Sequence, residues 1–150
     1  MSHIFLKRII KRELPELKNK YGDNIIVDKE SNTLFINSLN IEFIVSGHYP
    51  FQPPKIKIND EDYVDYLVRI SQNNQKKLNE KGVKCLCCES ITCRNNWNPT
   101  KKLFHIVDEY LNTKTLIDNF HLEKYVYLIC YNKGIYCEAI INKIKKFVCL

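Results

Sequence analysis

Apolar residues recur along this chain with two distinct periods. Leu6, Ile10, Leu14 and Leu17 are spaced four, four and three apart, which places them on one face of a helix running from residue 2 to about residue 21. Lys7, Arg8, Lys11 and Arg12 fall largely off that stripe. Pro15 lies inside the stretch, where it removes a backbone donor and crowds the preceding turn. The helix is therefore expected to kink, or to end and restart, at Pro15 and to close at Gly22-Asp23. Short β-type runs follow: Ile25 to Val27, a polar turn at Asp28 to Asn32, then Thr33 to Ile36. From Asn40 to Val45, Ile41, Phe43 and Val45 alternate with Glu42 and Ile44. A loop from Ser46 to Pro54 leads into Lys55-Ile56-Lys57-Ile58, whose alternation predicts a fourth strand with one buried face.

From Asn59 to Lys84 the chain is polar and weakly patterned, which predicts a long connection of the kind that often carries function. After Pro99 the period turns helical: Leu103, Ile106, Val107, Tyr110 and Leu111 share a face. A further helical stretch or pair is expected from His121 to Val148, interrupted at Gly134. One helix, a four-stranded antiparallel meander, a long loop and C-terminal helices make an α+β fold, read as a single domain over residues 1–150.

Composition narrows the class without naming it. With 45% hydrophobic and 27% charged residues, the chain has the makings of a packed core and needs no metal or disulfide to fold. Its longest strongly apolar run, about Tyr125 to Tyr131, falls well short of the roughly 20 residues that span a bilayer. Neither a signal peptide nor a membrane anchor is expected. Seven cysteines, four of them between Cys85 and Cys93, do not make a secreted disulfide framework, because adjacent Cys87 and Cys88 are poorly placed for spaced bridges. A reducing compartment, cytoplasmic or nuclear, is the expected setting. The net charge of +6 is spread along the chain with Asp and Glu between the cations, so it reads as solvated surface and not as a site for nucleic acid or membrane.

Three local sequences carry a resemblance. Ile41-Glu42-Phe43-Ile44-Val45, followed by Tyr49-Pro50-Phe51 and Pro53-Pro54-Lys55-Ile56, is similar to a strand, Tyr-Pro-Phe turn and Pro-Pro-Lys strand of the ubiquitin-conjugating enzymes. Downstream, Gly82-Val83-Lys84-Cys85-Leu86 resembles that family's glycine, two residues, catalytic cysteine and leucine, and Trp97-Asn98-Pro99 resembles its Trp-Ser-Pro loop. The resemblance spans nearly the whole chain. It implies a ubiquitin-conjugating-enzyme-like fold and a transferase that carries ubiquitin, or a ubiquitin-like modifier, as a cysteine thioester. Its implied partners are an activating enzyme and a ubiquitin ligase, and it implies no cofactor. Three prolines in five positions are themselves expected to make a stiff extended arm that delivers Ile56 and Ile58 to the sheet.

Departures from the family pattern sit around the cysteines. The His-Pro-Asn tripeptide has no counterpart; the region offers Asn73, Asn74 and Asn79. The interval from Cys85 to Trp97 is longer than the family's, which requires a short insertion. Gly82 and Leu86 select Cys85 as the acceptor, Asn79 would select Cys87, and the spacing to Trp97 comes nearest at Cys88. Cys85 is preferred because its markers adjoin the reacting atom, whereas a loop lengthens at small entropic cost. Cys87 and Cys88 stay as alternates. Lys84 is a candidate for lowering the Cys85 pKa.

The rival reading is a non-catalytic conjugating variant or RWD-like interaction domain, with a structural zinc in the cysteine cluster, although C-x-C-C-x4-C is cramped for a tetrahedron of four sulfurs. By the same resemblance Lys7, Arg8, Lys11 and Arg12 would face the activating enzyme, and Phe51 and Pro99 the ligase. Trp97 is expected in the core with Pro99 opening the next helix. Cys130, Cys137 and Cys149 read as small hydrophobes. His48, His105 and His121 stand at no ligand or triad spacing.

Overall fold

The computed structural model describes residues 7–135 and 137–148. Leu6 of the predicted stripe and Cys149 lie outside the described residues. The chain forms two compact units, residues 1–109 and 110–150.

The first unit is an α+β assembly. A π-helical segment, Ile9–Glu13, runs directly into helix α1, Leu14–Tyr21. The widened turn answers the Pro15 problem: the Leu14 N–H reaches the carbonyl of Ile9, one residue beyond the α-helical partner. A proline at the start of an α-helical stretch loses no bond. The buried stripe shares Leu17 with the predicted one and otherwise departs from it. Ile9, Glu13 and Leu17 are fully enclosed, while Ile10 and Leu14 are half-buried. The face is rotated by one residue because the core accepts a carboxylate, which a reading by apolar spacing leaves out.

Glu13 is enclosed with its partners supplied. One carboxylate oxygen accepts the Tyr49 hydroxyl at 2.6 Å, and the other accepts the backbone N–H of Leu103 at 2.9 Å. Burial, followed by the neighbouring Glu13 charge, pushes the Tyr49 phenol far above its ordinary range. The phenol therefore stays a donor at any ordinary pH.

The sheet is an antiparallel meander of β1 (Ile25–Asp28), β2 (Thr33–Ile36), β3 (Ile41–Ile44), β4 (Lys55–Ile58) and β5 (Glu61–Asp62). Four strands come where period-two alternation put them, and β5 is an added two-residue edge. Register aligns the buried sets across the sheet: Ile36 pairs with Ile41 and Ile41 with Ile58, while Leu34 pairs with Phe43 and Phe43 with Ile56. On the other face, Glu42 opposes Lys57 with a nitrogen–oxygen distance of 3.5 Å. Side-chain alternation makes one face core and the other solvent.

Residues 59–84 are not the long loop that their polarity suggests. They hold β5, helix α2 (Tyr63–Asn73) and helix α3 (Gln75–Glu80). Asp62 caps α2 by accepting the Val64 N–H at 2.9 Å, and Tyr63, Leu67, Ile70 and Ser71 form the buried face. This face packs on β4 and β5. Arg69 forks onto Glu61 at 2.9 and 2.7 Å, tying α2 to the edge strand.

A short helix α4 (Leu86–Glu89) precedes helix α5, Leu103–Asn132, which joins in one element the helix expected after Pro99 and the start of the further stretch expected from His121. Leu103, Ile106 and Val107 are buried in the first unit. In the second unit Val126 and Cys130 pack against Ile141 of helix α6 (Glu138–Val148), with Ile135 and Ile144 beside them. The break falls at Gly134, as predicted, with a positive φ of 72°. Cys130 is a buried small hydrophobe; Cys137 is exposed just before α6, contrary to expectation. No described helix is long and apolar enough to cross a membrane.

Glu13→Ala should remove both acceptors and strand the Tyr49 hydroxyl and the Leu103 N–H, destabilising the first unit by about 3 kcal/mol. Tyr49→Phe should cost about 1 to 2 kcal/mol. Urea unfolding followed by Trp97 fluorescence measures both, and an unchanged midpoint for Glu13→Ala refutes the role given to this carboxylate.

Candidate functional site

The segment between Gly82 and Trp97 is held on the first unit by side chains from three elements. Gly82 takes a positive φ of 77°, and its N–H bonds to the Asn79 carbonyl at 3.0 Å, ending α3 in a turn that starts the cysteine loop. Gln75 of α3 donates its amide to the Lys84 carbonyl at 3.0 Å and to Asn79 Oδ1 at 2.8 Å. Buried Ser71 of α2 accepts the Leu86 N–H through Oγ at 3.0 Å. The backbone is thus fixed on both sides of Cys85.

The far side of the loop hangs on Glu109. One of its oxygens accepts the Ser90 hydroxyl at 2.6 Å and the Tyr63 hydroxyl at 2.9 Å; the other accepts the Ile91 N–H at 2.7 Å. Asn96 spans the same loop, donating to the carbonyls of Cys88 at 2.8 Å and Ser90 at 2.9 Å. Sequence reasoning missed Ser71, Gln75, Asn96 and Glu109. The Glu109 role needs an acid on a helix to meet a loop 18 residues upstream, and no local pattern announces that.

Within this frame Cys85, Cys87 and Cys88 converge, all three sulfurs lying within 4.8 Å of one another. Cys85 Sγ is 2.8 Å from Cys87 Sγ, and Cys87 Sγ is 3.8 Å from Cys88 Sγ. Cys85 and Cys87 are half-buried, and Cys88 is exposed. The thiol of Cys87, donating to Cys85, holds the Cys85 pKa down to about 7, and the backbone N–H groups of Cys88 and Cys87 add to the effect. The same bond, with burial behind it, pushes Cys87 up to about 12. Of this pair, Cys85 is therefore the thiol whose thiolate is favoured. The cause is the neighbouring thiol and the start of α4, not the Lys84 cation expected from sequence.

The two proline-bearing loops meet. Trp97 is buried and donates its indole N–H to the Pro50 carbonyl at 2.7 Å, with its ring 6.2 Å from that of Tyr49. Phe51, 76% exposed, follows Pro50, and exposed Pro99 follows Trp97 by two residues. The Ser46–Pro54 loop is not the stiff extended arm its prolines suggested. Residues 47–52 form turns in which Phe51 and Gln52 donate to the His48 carbonyl at 2.8 and 3.1 Å, and the Tyr49-Pro50 peptide is cis. Pro99 does not open α5. It sits in a turn in which Asn98 Oδ1 accepts the Thr100 N–H at 3.1 Å, and α5 starts at Leu103.

Lys7, Arg8, Lys11 and Arg12 are all exposed. His48 and His121 are exposed, whereas His105 accepts the Lys102 N–H through Nδ1 at 3.0 Å. Burial, joined by the Lys101 cation, lowers the His105 pKa and keeps it the neutral acceptor.

Alkylation of Cys85 should rise with pH through a midpoint of about 7, because the thiolate is the nucleophile and its fraction grows as pH passes the pKa. Cys87→Ala removes the donor, so the midpoint should move up toward the ordinary thiol value of about 8.5. Iodoacetamide rates resolved by peptide mass measure both, and an unmoved midpoint in Cys87→Ala rules out the Cys87 donor. Comparison with protein-family models, with curated proteins and with solved structures finds no match to this chain.

Proposed function

We propose that the chain is a divergent ubiquitin-conjugating enzyme with a ubiquitin-conjugating-enzyme-like fold, carrying ubiquitin or a ubiquitin-like modifier on Cys85. The observation that carries this reading is the placement of Cys85. A half-exposed thiol, hydrogen-bonded by a neighbouring thiol at 2.8 Å, stands at the start of a short helix whose backbone is fixed by Ser71 and Gln75. An N-terminal helix, an antiparallel meander and C-terminal helices around it agree with the order that the resemblance implies.

The chemistry asks little of its surroundings. The Cys85 thiolate attacks the carbonyl carbon of the modifier's thioester on the activating enzyme, a new C–S bond forms, and the activating enzyme's thiolate departs. Exchange of one thioester for another is nearly balanced in free energy, so the gain lies in starting from a thiolate at neutral pH. In the second step a neutral lysine amine attacks the same carbon, the Cys85 thiolate leaves, and the amine loses its proton to solvent as the amide forms. A fixed backbone keeps the acceptor in place for both attacks.

Partner surfaces follow the same reading. Exposed Lys7, Arg8, Lys11 and Arg12 form the face proposed to meet an activating enzyme. Phe51 and Pro99, on loops joined by the Trp97–Pro50 hydrogen bond, form the patch proposed for a ligase. An exposed aromatic beside a rigid proline is a common anchor.

A second reading, a non-catalytic conjugating variant or RWD-like interaction domain, is favoured by one observation. Helices α2 and α3 occupy the stretch where the family carries His-Pro-Asn, and the Asn79 side chain there is engaged with Gln75. The thiol geometry weighs the other way, since an interaction domain has no need of a lowered cysteine pKa.

With activating enzyme, ATP, ubiquitin and chelator, the chain should form an adduct on a non-reducing gel that reductant releases. Cys85→Ser should abolish that adduct, while Cys93→Ser should keep it. Phe51→Ala should load normally and lose about tenfold in ligase-dependent transfer. No adduct with a competent activating enzyme selects the second reading.

A further inference from the structure

The sequence alone argues against a metal in the cysteine cluster, because four sulfurs within nine residues are cramped for one tetrahedron. Folding changes the ligand count. Three of the four thiols converge, with every sulfur within 4.8 Å of the others, and Cys93 is not among them. We propose that Cys85, Cys87 and Cys88 form a three-thiolate zinc site whose fourth position is open to solvent.

The spacing supports a single ion. Zinc–sulfur bonds of about 2.3 Å meeting at the tetrahedral angle place ligand sulfurs about 3.8 Å apart. Cys87 and Cys88 already stand 3.8 Å apart. The Cys85–Cys87 pair, at 2.8 Å, opens by about 1 Å when a cation replaces the shared proton. Thiolate ligands select zinc over the hard cations that take oxygen ligands.

The surroundings are built as a ligand shell requires. Metal-bound thiolates need their backbone held in place by groups outside the ligand set. The loop cannot easily collapse or open, since the Leu86 N–H is tied to Ser71, the Cys88 carbonyl to Asn96, and the Ser90 N–H to the Leu86 carbonyl at 2.9 Å. Exposed Cys88 gives the ion a path from solvent and leaves room for a water as fourth ligand. Binding forms three Zn–S bonds, displaces water from the ion and releases the thiol protons to the buffer, so affinity falls as pH falls.

A zinc bound here and a modifier carried on Cys85 are mutually exclusive, because each uses the same sulfur electron pair. The zinc site itself does not depend on the proposed transfer activity. Its test therefore contains no activating enzyme or ubiquitin, and a negative result in one assay leaves the other intact.

The reduced full chain, stripped with chelator, is titrated with Zn2+ against a chromophoric competitor and separately with Cd2+. One zinc per chain should bind, and one equivalent of Cd2+ should give the ultraviolet charge-transfer absorbance of three thiolates. Cys87→Ser and Cys88→Ser should each weaken zinc binding at least about tenfold, Cys93→Ser should not, and bound zinc should slow Cys85 alkylation about tenfold or more. Less than stoichiometric zinc, no Cd–thiolate band in the unaltered chain, or zinc affinity in Cys87→Ser or Cys88→Ser equal to that of the unaltered chain overturns the proposal. The cadmium band is read on the unaltered chain, so a misfolded variant leaves the answer intact.

Discussion

The carboxylate of Glu13 is the point where three distant parts of the first unit are tied together. It sits 97% enclosed on the N-terminal helix, accepts the Tyr49 hydroxyl from the turn before β4, and accepts the Leu103 N–H at the start of α5. A carboxylate without partners at that depth costs several kcal/mol, and a helix N-terminus without an acceptor wastes a donor. Each problem answers the other. Because α5 carries a partial positive charge at its N-terminus, the acid is favoured there electrostatically as well. The rest of the unit inherits this arrangement: Tyr49 fixes the turn, Pro50 receives the Trp97 indole, and Trp97 ends the cysteine loop.

A second acid, half-buried, plays a similar part nearer the chemistry. Glu109, two turns along α5 from Leu103, gathers the Ser90 hydroxyl, the Tyr63 hydroxyl and the Ile91 N–H. The cysteine loop is therefore suspended between α2 and α3 on one side and α5 on the other. A rigid backbone lets adjacent thiols hold unequal protons, one at about 7 and one at about 12. Whether the sulfurs serve a thioester or a zinc ion, the demand on the scaffold is the same: sulfur positions set before the partner arrives.

How far each feature could be read from the residues depends on the range of the interaction behind it. The strands came through because their period of two is local and their register follows from it, as in the Ile36–Ile41–Ile58 row. The break at Gly134 came through because only a residue without Cβ takes that φ comfortably. Helices α2 and α3 were missed because their buried set, Tyr63, Leu67 and Ile70, is diluted by charges that lie on the solvent side. The Asp62 cap was the signal that would have found α2. At the N-terminus, apolar spacing set the stripe one residue away from the buried face, since Glu13 stands on that face.

The residues in order were enough to give the α+β layout, the strand alternation and the crowding of the cysteines. All of these rest on contacts between residues close along the chain. The tertiary structure alone decided which three of the four cysteines converge and which acids hold the scaffold. Those outcomes depend on pairs such as Glu13 with Leu103, 90 positions apart, and Ser71 with Leu86, 15 apart. Hydrogen bonds and sulfur separations of about 3 to 4 Å are set by how elements pack, and a local pattern carries no information about that packing.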